Sequence, residues 1–393
     1  MQLTFGGAAG TGVWVAIAFA GGASLAVLAN QRAGAQTTAP GVAAPAEHLR
    51  STPDNVVLGW FPIDRPPVLR VTSGSVVRID TLSQRGTTQQ EDPVTFLGQL
   101  GVEPDEVLQD VKDFWASRAE RSREGRGGHI VTGPIYVEGA APGDTLAVEV
   151  LDVETRVPYG INSTSATRGV FAPTYAGRPD DPLLDIPEGS VHLIRTGTAD
   201  GRPVAFFSDA IHVPLNPFMG IMAVAPENPT VGQPGVTVAG VQGSNPPGPY
   251  GGNMDFKDLK AGATLYLPVF HPGALFYAGD PHGTQGDGEV SGNAIEQSLT
   301  GVFRFTVLKG KRIRAPRAED ATHYFLMGID LDLDRAMRIA AYETVQFLVD
   351  EKGLTPAKAL SLASIAVDFR IAEVVDGTQV VVGSIPKSLF LEP

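Results

Sequence analysis

The chain contains no cysteine. That absence removes disulfides, thiolate-ligated zinc and a thiol nucleophile together. Positive charge is also scarce. With 30 Lys and Arg against 43 Asp and Glu, the formal charge is −13, which excludes nucleic acid and anionic membrane surfaces as expected partners. No low-complexity repeat accounts for the 46 Gly and 31 Pro, so they are read as turns between many short strands. At 393 residues and 43% apolar, the chain can bury a sizeable core.

The N-terminus lacks the basic residues that normally open an export signal. Residues 13–29 are nonetheless apolar and small, and Ala33-Gly34-Ala35 fits an A-x-A cleavage site. Residues 1–35 are therefore read as a cleaved signal peptide, with an uncleaved membrane anchor as the alternative. The expected location is periplasmic or extracellular. Residues 36–49 read as a Pro/Ala linker.

From residue 50 to 330 the pattern is β. Leu146, Val148 and Val150 alternate with Ala147, Glu149 and Leu151, and Phe303, Phe305 and Val307 alternate with Arg304 and Thr306, the period of half-buried strands. Gly turns open onto strands at Gly74, Gly143 and Gly262, which is the punctuation of an antiparallel sandwich or barrel. Residues 103–126 predict a helical excursion with a solvated charged face. Over residues 331–393 a helix is predicted with Met337, Ala341, Val345 and Leu348 inward, closed at Gly353. Thr355-Pro356 opens a second helix, and Asp376-Gly377 centres a hairpin. The fold class is mainly β: a jelly-roll-like antiparallel β-sandwich with a C-terminal αα-hairpin and short strands.

Residues 268–296 concentrate the chemistry. Asp280, His282, Gln285, Asp287 and Glu289 stand among Gly283, Gly286 and Gly288. Glycine lets a backbone approach whatever the side chains hold. Carboxylates and an imidazole in one short loop suit a metal site or acid–base pair; a turn-rich hairpin explains the same residues without chemistry. The loop is expected to line a surface.

The run Gly279–Gly292, with the block at Gly133–Asp144, residues 214–226, Tyr250–Asp255, residues 359–371 and Ile385-Pro386-Lys387, resembles the acetamidase/formamidase family in family order. The resemblance implies a jelly-roll sandwich, hydrolysis of short linear amides to acid and ammonia, and a homo-oligomer. It also matches His129 and Asp255 to a family His and a family Asp. Two histidines common among close members are missing, one from the segment around Val56–Trp60 and one from Thr81–Gly86.

Amide hydrolysis needs an activated nucleophile, an oxyanion stabiliser and a proton for the leaving amine. Without cysteine the nitrilase type is excluded. A Gly/Ser-rich Ser-Ser-Lys block and a G-x-S-x-G elbow are also missing, which leaves activated water. The expected catalytic residues are His282, Glu138 and Glu289. Expected ligands of a divalent metal, zinc or calcium, are His129, Asp255, Asp280 and Asp287. Gln285, Phe218 and Asn253 are expected at the substrate, and Phe270, Phe276 and Tyr277 could wall an acyl pocket. Two rival readings are a non-catalytic binding protein that keeps the pocket, and a hydrolase of larger extracellular amides.

Overall fold

The computed structural model describes residues 47–121, 127–172, 189–228 and 241–391. The signal-peptide reading and residues 36–46 of the linker lie outside them. In chain order the first strands are β1 (Glu47–Leu49), β2 (Val56–Leu58), β3 (Leu69–Val71), β4 (Val76–Asp80), β5 (Ile130–Val137), β6 (Thr145–Thr155), β7 (Tyr159–Thr164), β8 (Ser190–Ala199), β9 (Arg202–Ser208) and β10 (Ile211–Pro214). Then come β11 (Phe218–Ala223), β12 (Gly251–Asn253), β13 (Thr264–Pro268), β14 (Phe276–His282), β15 (Leu299–Leu308), β16 (Arg317–Glu319), β17 (His323–Asp330), β18 (Asp368–Glu373) and β19 (Gln379–Pro386). The helices are α1 (Pro93–Gln99), α2 (Gln109–Ser117), α3 (Leu333–Asp350) and α4 (Pro356–Ala366).

A nine-stranded sheet runs β1-β4-β15-β6-β13-β16-β17-β19-β18, and a six-stranded sheet runs β12-β11-β14-β5-β2 with β3 beside β5. The two share one apolar core. Val148 and Val150 of β6 and Phe303 and Phe305 of β15 meet Ile135 of β5 and Phe276 of β14 in a single buried cluster. The Phe276 and Phe305 rings meet edge-on at 5.0 Å. The alternation read along β6 and β15 thus aims at this interface, which makes a sandwich. Pairing is antiparallel except β1 with β4 and β3 with β5. A four-stranded sheet, β10-β9-β8-β7, stands beside them.

Three boundaries differ from the sequence reading. The linker does not reach Leu49, because Glu47–Leu49 pairs with β4 and Leu49 is buried in the core. Within the expected excursion the described residues 103–121 form a turn that includes Pro104, then α2 and a short 3-10 turn at Arg118–Glu120, while α1 forms upstream with Asp92 accepting from the Thr95 amide. The inward stripe of α3 is Ala336, Ala340, Thr344, Phe347 and Leu348, and Met337 is exposed. The αα-hairpin stands as read, with Thr355 capping α4 and Pro356 at its first turn. Beyond it β18 and β19 extend the nine-stranded sheet through β17, which pairs with β19.

Candidate active site

β14 is a central strand, held by β11 on one side and β5 on the other. Its last residues are Asp280, Pro281 and His282, all buried. The register places Phe218 opposite His282, and a further bridge joins His282 to Glu296 as the chain returns from the Gly-rich loop. His282 is therefore buried at a strand end rather than displayed on a surface loop, with 0% exposure.

Around His282 the loop that follows β14 folds back to bring three carboxylates of the stretch 280–296 together. His282 Nε2 lies 3.2 Å from Asp280 Oδ2, 3.4 Å from Glu296 Oε1 and 3.9 Å from Glu289 Oε1. Its Nδ1 lies 3.0 Å from Gln285 Oε1. Gln285 Nε2 donates to the carbonyls of Asp255 and Ala372, which fixes the orientation of the amide. Gln285 Oε1 can then only accept, so Nδ1 carries a hydrogen and Nε2 is the atom presented to the carboxylates. Phe218 backs the imidazole edge-on at 5.2 Å.

Asp255 joins from the segment after β12. Asn253 Nδ2 donates to Asp255 Oδ2 at 2.8 Å and to Asp376 Oδ2 at 2.7 Å, so one amide ties two carboxylates. His129, just before β5, approaches from the other side. Its Nδ1 bonds Ser244 Oγ at 3.0 Å and its Nε2 lies 3.9 Å from Asp280 Oδ1. Asp255, Asp280 and Glu289 take φ of 44°, 48° and 45°. Left-handed backbone is unfavourable for such residues, and strain of this kind collects where surrounding structure holds side chains to a task.

Electrostatics follow from burial. Desolvation pushes the carboxyls of Asp255 and Glu289 well above the usual range, and neighbouring carboxylates push the same way. Asp376 and Glu373 are also raised by burial. Asp280 goes the other way: burial raises it, but the charges of His282 and His129 outweigh that and lower it. Burial would lower the His282 imidazole, whereas Asp280 and Glu296 reverse the effect and hold it well above its ordinary value.

The donor set fits a divalent cation. Asp255, Asp280 and His282 offer atoms within 4.8 Å of one another; so do His282, Glu289 and Glu296, and Asp255, Glu289 and Asp376. Asp255 Oδ1, Asp280 Oδ1 and His282 Nε2 are buried without a hydrogen-bond partner. Oxygen-rich coordination with an imidazole suits hard or borderline cations such as calcium or zinc.

Two expected residues fall outside this cluster. Glu138 follows the far end of β5 from His129, is 49% exposed, and pairs with Arg70 at 3.2 Å. β5 spans Ile130–Val137, about 3.3 Å per residue, so Glu138 cannot reach His282. Asp287 points away to Lys257 at 3.1 Å and Arg370 at 3.5 Å, because an exposed loop carboxylate is better satisfied by cations than beside other acids. Gln285, Phe218 and Asn253 are inside the site, but as supports of His282, Asp255 and Asp376. Phe276 and Tyr277 are core side chains. The sequence reading missed Glu296, Asp376, Glu373 and Gln84. Gln84 Nε2 donates to Glu296 Oε2 at 2.9 Å, in the segment that lacks a family histidine. Glu296 closes the Gly-rich loop and was within reach of spacing; Asp376 carries only a turn signal.

A sandwich holding a buried carboxylate–imidazole centre defines the class of protein. The model of the acetamidase/formamidase family matches residues 47–235 and 234–392, and the chain belongs to that family. A formamidase of Methylophilus methylotrophus is 28% identical over 267 residues, covering 59% of this chain and 58% of the relative. An acetamidase of Mycolicibacterium smegmatis is 26% identical over 295 residues, covering 64% and 66%. The chain thus matches these curated relatives over less than two thirds of their length. The crystal structure of an acetamidase from Yersinia enterocolitica superposes with a TM-score of 0.69 at 25% identity, over 89% of this chain and 94% of that one.

Proposed function

We propose that the protein hydrolyses a linear carboxamide to a carboxylate and ammonia, with metal assistance. One observation carries the reading: His282, Asp280, Glu289 and Glu296 of the stretch 280–296 meet Asp255 in a buried centre that holds unpartnered polar atoms of Asp255, Asp280 and His282. The formamidase and acetamidase names of relatives point the same way.

Asp255, Asp280 and His282 would hold a divalent cation, zinc or calcium, which supplies Lewis acidity toward an amide carbonyl and lowers the pKa of water. The chain's own groups then move protons. Water oxygen adds to the carbonyl carbon and its proton passes to the Glu289 carboxylate. Burial raises the affinity of Glu289 for that proton, which suits transfer to the leaving nitrogen as the C–N bond breaks. Gln285 keeps the His282 proton on Nδ1, and Phe218 packs against the imidazole. Export, supported by the apolar residues 13–29 and Ala33-Gly34-Ala35, is part of the same proposal; intact mass of the mature protein starting at Gln36 would agree, and mass from Met1 would overturn it.

The test is ammonia release from formamide, acetamide and propionamide, with zinc or calcium supplied and after chelation. Saturable release that chelation removes is expected, and Glu289→Gln should lower kcat by about 10²–10⁴. No release by folded, metal-supplied protein would sink the reading and favour a non-catalytic binding protein.

A further inference from the structure

The turn that follows β4 reaches the acidic centre and carries one charged side chain, Arg85. Its backbone is tied to the start of β15. The Thr81 amide donates to the Leu299 carbonyl at 2.9 Å, and the Ser83 amide to Ser298 Oγ at 3.1 Å. Ser83 Oγ accepts from the Arg85 amide at 3.1 Å, and Thr87 Oγ1 donates to the Ser83 carbonyl at 2.6 Å. From this fixed turn Gln84 Nε2 donates to Glu296 Oε2 at 2.9 Å. Arg85 and Glu296 also line one gap whose other walls include Leu97, Val111, Val157 and Ile161, and they are its charged residues.

The half-buried Arg85 guanidinium makes no hydrogen bond among the described residues, and none of its nitrogens lies within 4.0 Å of a described carboxylate oxygen. Its Nε is buried without a partner. Other partly buried arginines are satisfied, Arg156 by Asp110 at 2.6 Å and Arg195 by Glu106 at 2.7 Å. A guanidinium has five N–H donors, and burying donors unpaired costs free energy. Burial lowers the Arg85 pKa, the charges of Glu296, Asp280 and Glu289 raise it, and that of Arg168 lowers it. The guanidinium still keeps its charge at neutral pH. Arg168, itself exposed, belongs to a segment laid beside Glu289, where the Val170 amide donates to the Val290 carbonyl at 3.0 Å. Two of the carboxylates that act on Arg85 have parts in the reaction proposed above, Asp280 as a metal ligand and Glu289 as the proton carrier. Arg85 thus lies beside these groups but beyond ion-pair distance of them, with its N–H groups free for an oxygen of the substrate.

We propose that Arg85 is a catalytic residue of the amide site: its N–H groups donate to the amide oxygen as it becomes an oxyanion, and afterwards to the product carboxylate. This rests on the amidase reading above. As water adds, the carbonyl π pair moves onto oxygen while Glu289 takes the water proton. The pair returns as the C–N bond breaks, and the nitrogen takes the proton from Glu289 and leaves as ammonia. The proton remaining on the acid passes to ammonia, and the planar carboxylate left behind suits the guanidinium fork. Donors held in place before the charge develops are what make oxyanion stabilisation effective.

The test measures amide turnover, and calorimetric binding of propionate, by the metal-supplied full chain and its Arg85 variants. Arg85→Met is expected to lower kcat about 10²–10³-fold with KM within about threefold, and to weaken propionate about tenfold. Arg85→Lys keeps the charge but loses the fork, so a deficit in kcat of about tenfold or more should remain. Methylguanidinium should restore part of the turnover of Arg85→Ala, a response that a merely structural side chain does not give. Tm verifies folding; if Arg85→Met does not fold, Arg85→Lys and the rescue decide. Wild-type kcat and propionate affinity in Arg85→Met overturn the proposal and leave the amidase reading standing. Full recovery of both by Arg85→Lys overturns it too, reducing Arg85 to a neutralising charge. If the wild type turns over no amide, the amidase reading falls and propionate decides alone. Binding weakened by Arg85→Met then keeps Arg85 as the carboxylate contact, and equal or absent binding overturns it.

Discussion

At Gly220 a Cβ would stand 2.3 Å from Asp255 Oδ1 and 2.8 Å from Asp280 Oδ2. The residue is a glycine on β11 because two carboxylates occupy the volume of its side chain. Both carboxylates are fixed, one by Asn253 and one by the histidines, so neither yields freely. Gly220→Ala is expected to cut amide turnover by about two orders of magnitude, since a displacement near 1 Å costs that much; circular dichroism should show the fold retained. Glu296→Gln removes one carboxylate beside His282 Nε2, so the imidazole pKa should fall, read by histidine NMR titration against wild type. Asp110 supplies a pH effect away from the site. Ser51 Oγ and Arg156 donate to its Oδ2 at 2.8 and 2.6 Å; burial raises its carboxyl pKa, but these partners prevail and the net shift is downward. A depressed folded value means the unfolded state binds protons first, so this stabilisation is present above about pH 3.9 and is lost as pH falls through the folded value. Asp110→Asn should cost roughly 1.5–3 kcal/mol at neutral pH, shrinking in acid, as denaturant titration would show.

Helix α3 shows how an element's face is chosen. Spacing favoured the larger Met337 and Val345, yet α3 lies on its alanines. A Cβ at Gly328 of β17 would meet the Ala336 carbonyl at 2.1 Å and the Ala340 nitrogen at 2.3 Å, so the helix backbone sits directly on the strand. Small residues on both sides permit that approach, and the stripe turns by one position to exploit it. Gly328→Val should cost about 1–3 kcal/mol through overpacking, with Met337→Ser within about 0.5 kcal/mol of wild type. The same scale explains why Asp376 was legible only as a turn residue. The β18–β19 turn, with a bulge after Ile371, carries Asp376 to Asn253, and a residue 123 positions away leaves no local pattern.

For the molecule as a whole, the burden is charge. A chain of net −13 buries Asp255, Asp280, Glu289, Glu296 and Glu373 with His129 and His282. A cation bound only by the folded state stabilises it by mass action, about 2.7 kcal/mol at a hundred times Kd. Tm should therefore rise when zinc or calcium is added to chelated protein and fall back on chelation; a Tm indifferent to both would remove the cation from this cluster.

By itself the sequence determined the β alternation, the αα-hairpin with its Thr355-Pro356 start, and three members of the buried cluster, Asp280, His282 and Glu289. Those signals are local: period, cap and glycine spacing act within a few residues, so one strand or loop displays them in full. Glu138 and Asp287 looked equivalent to the members of the cluster because local spacing does not say which end of a strand a side chain occupies or whether a cation waits beside it. Only the tertiary structure decided that Asp287 goes to Lys257 and Arg370, that Glu138 lies at the far end of β5, and that Asp376, Glu296 and Gln84 complete the centre. Strand order and register bring those residues together, and both are set by the shared core of the two sheets rather than by neighbours in the chain.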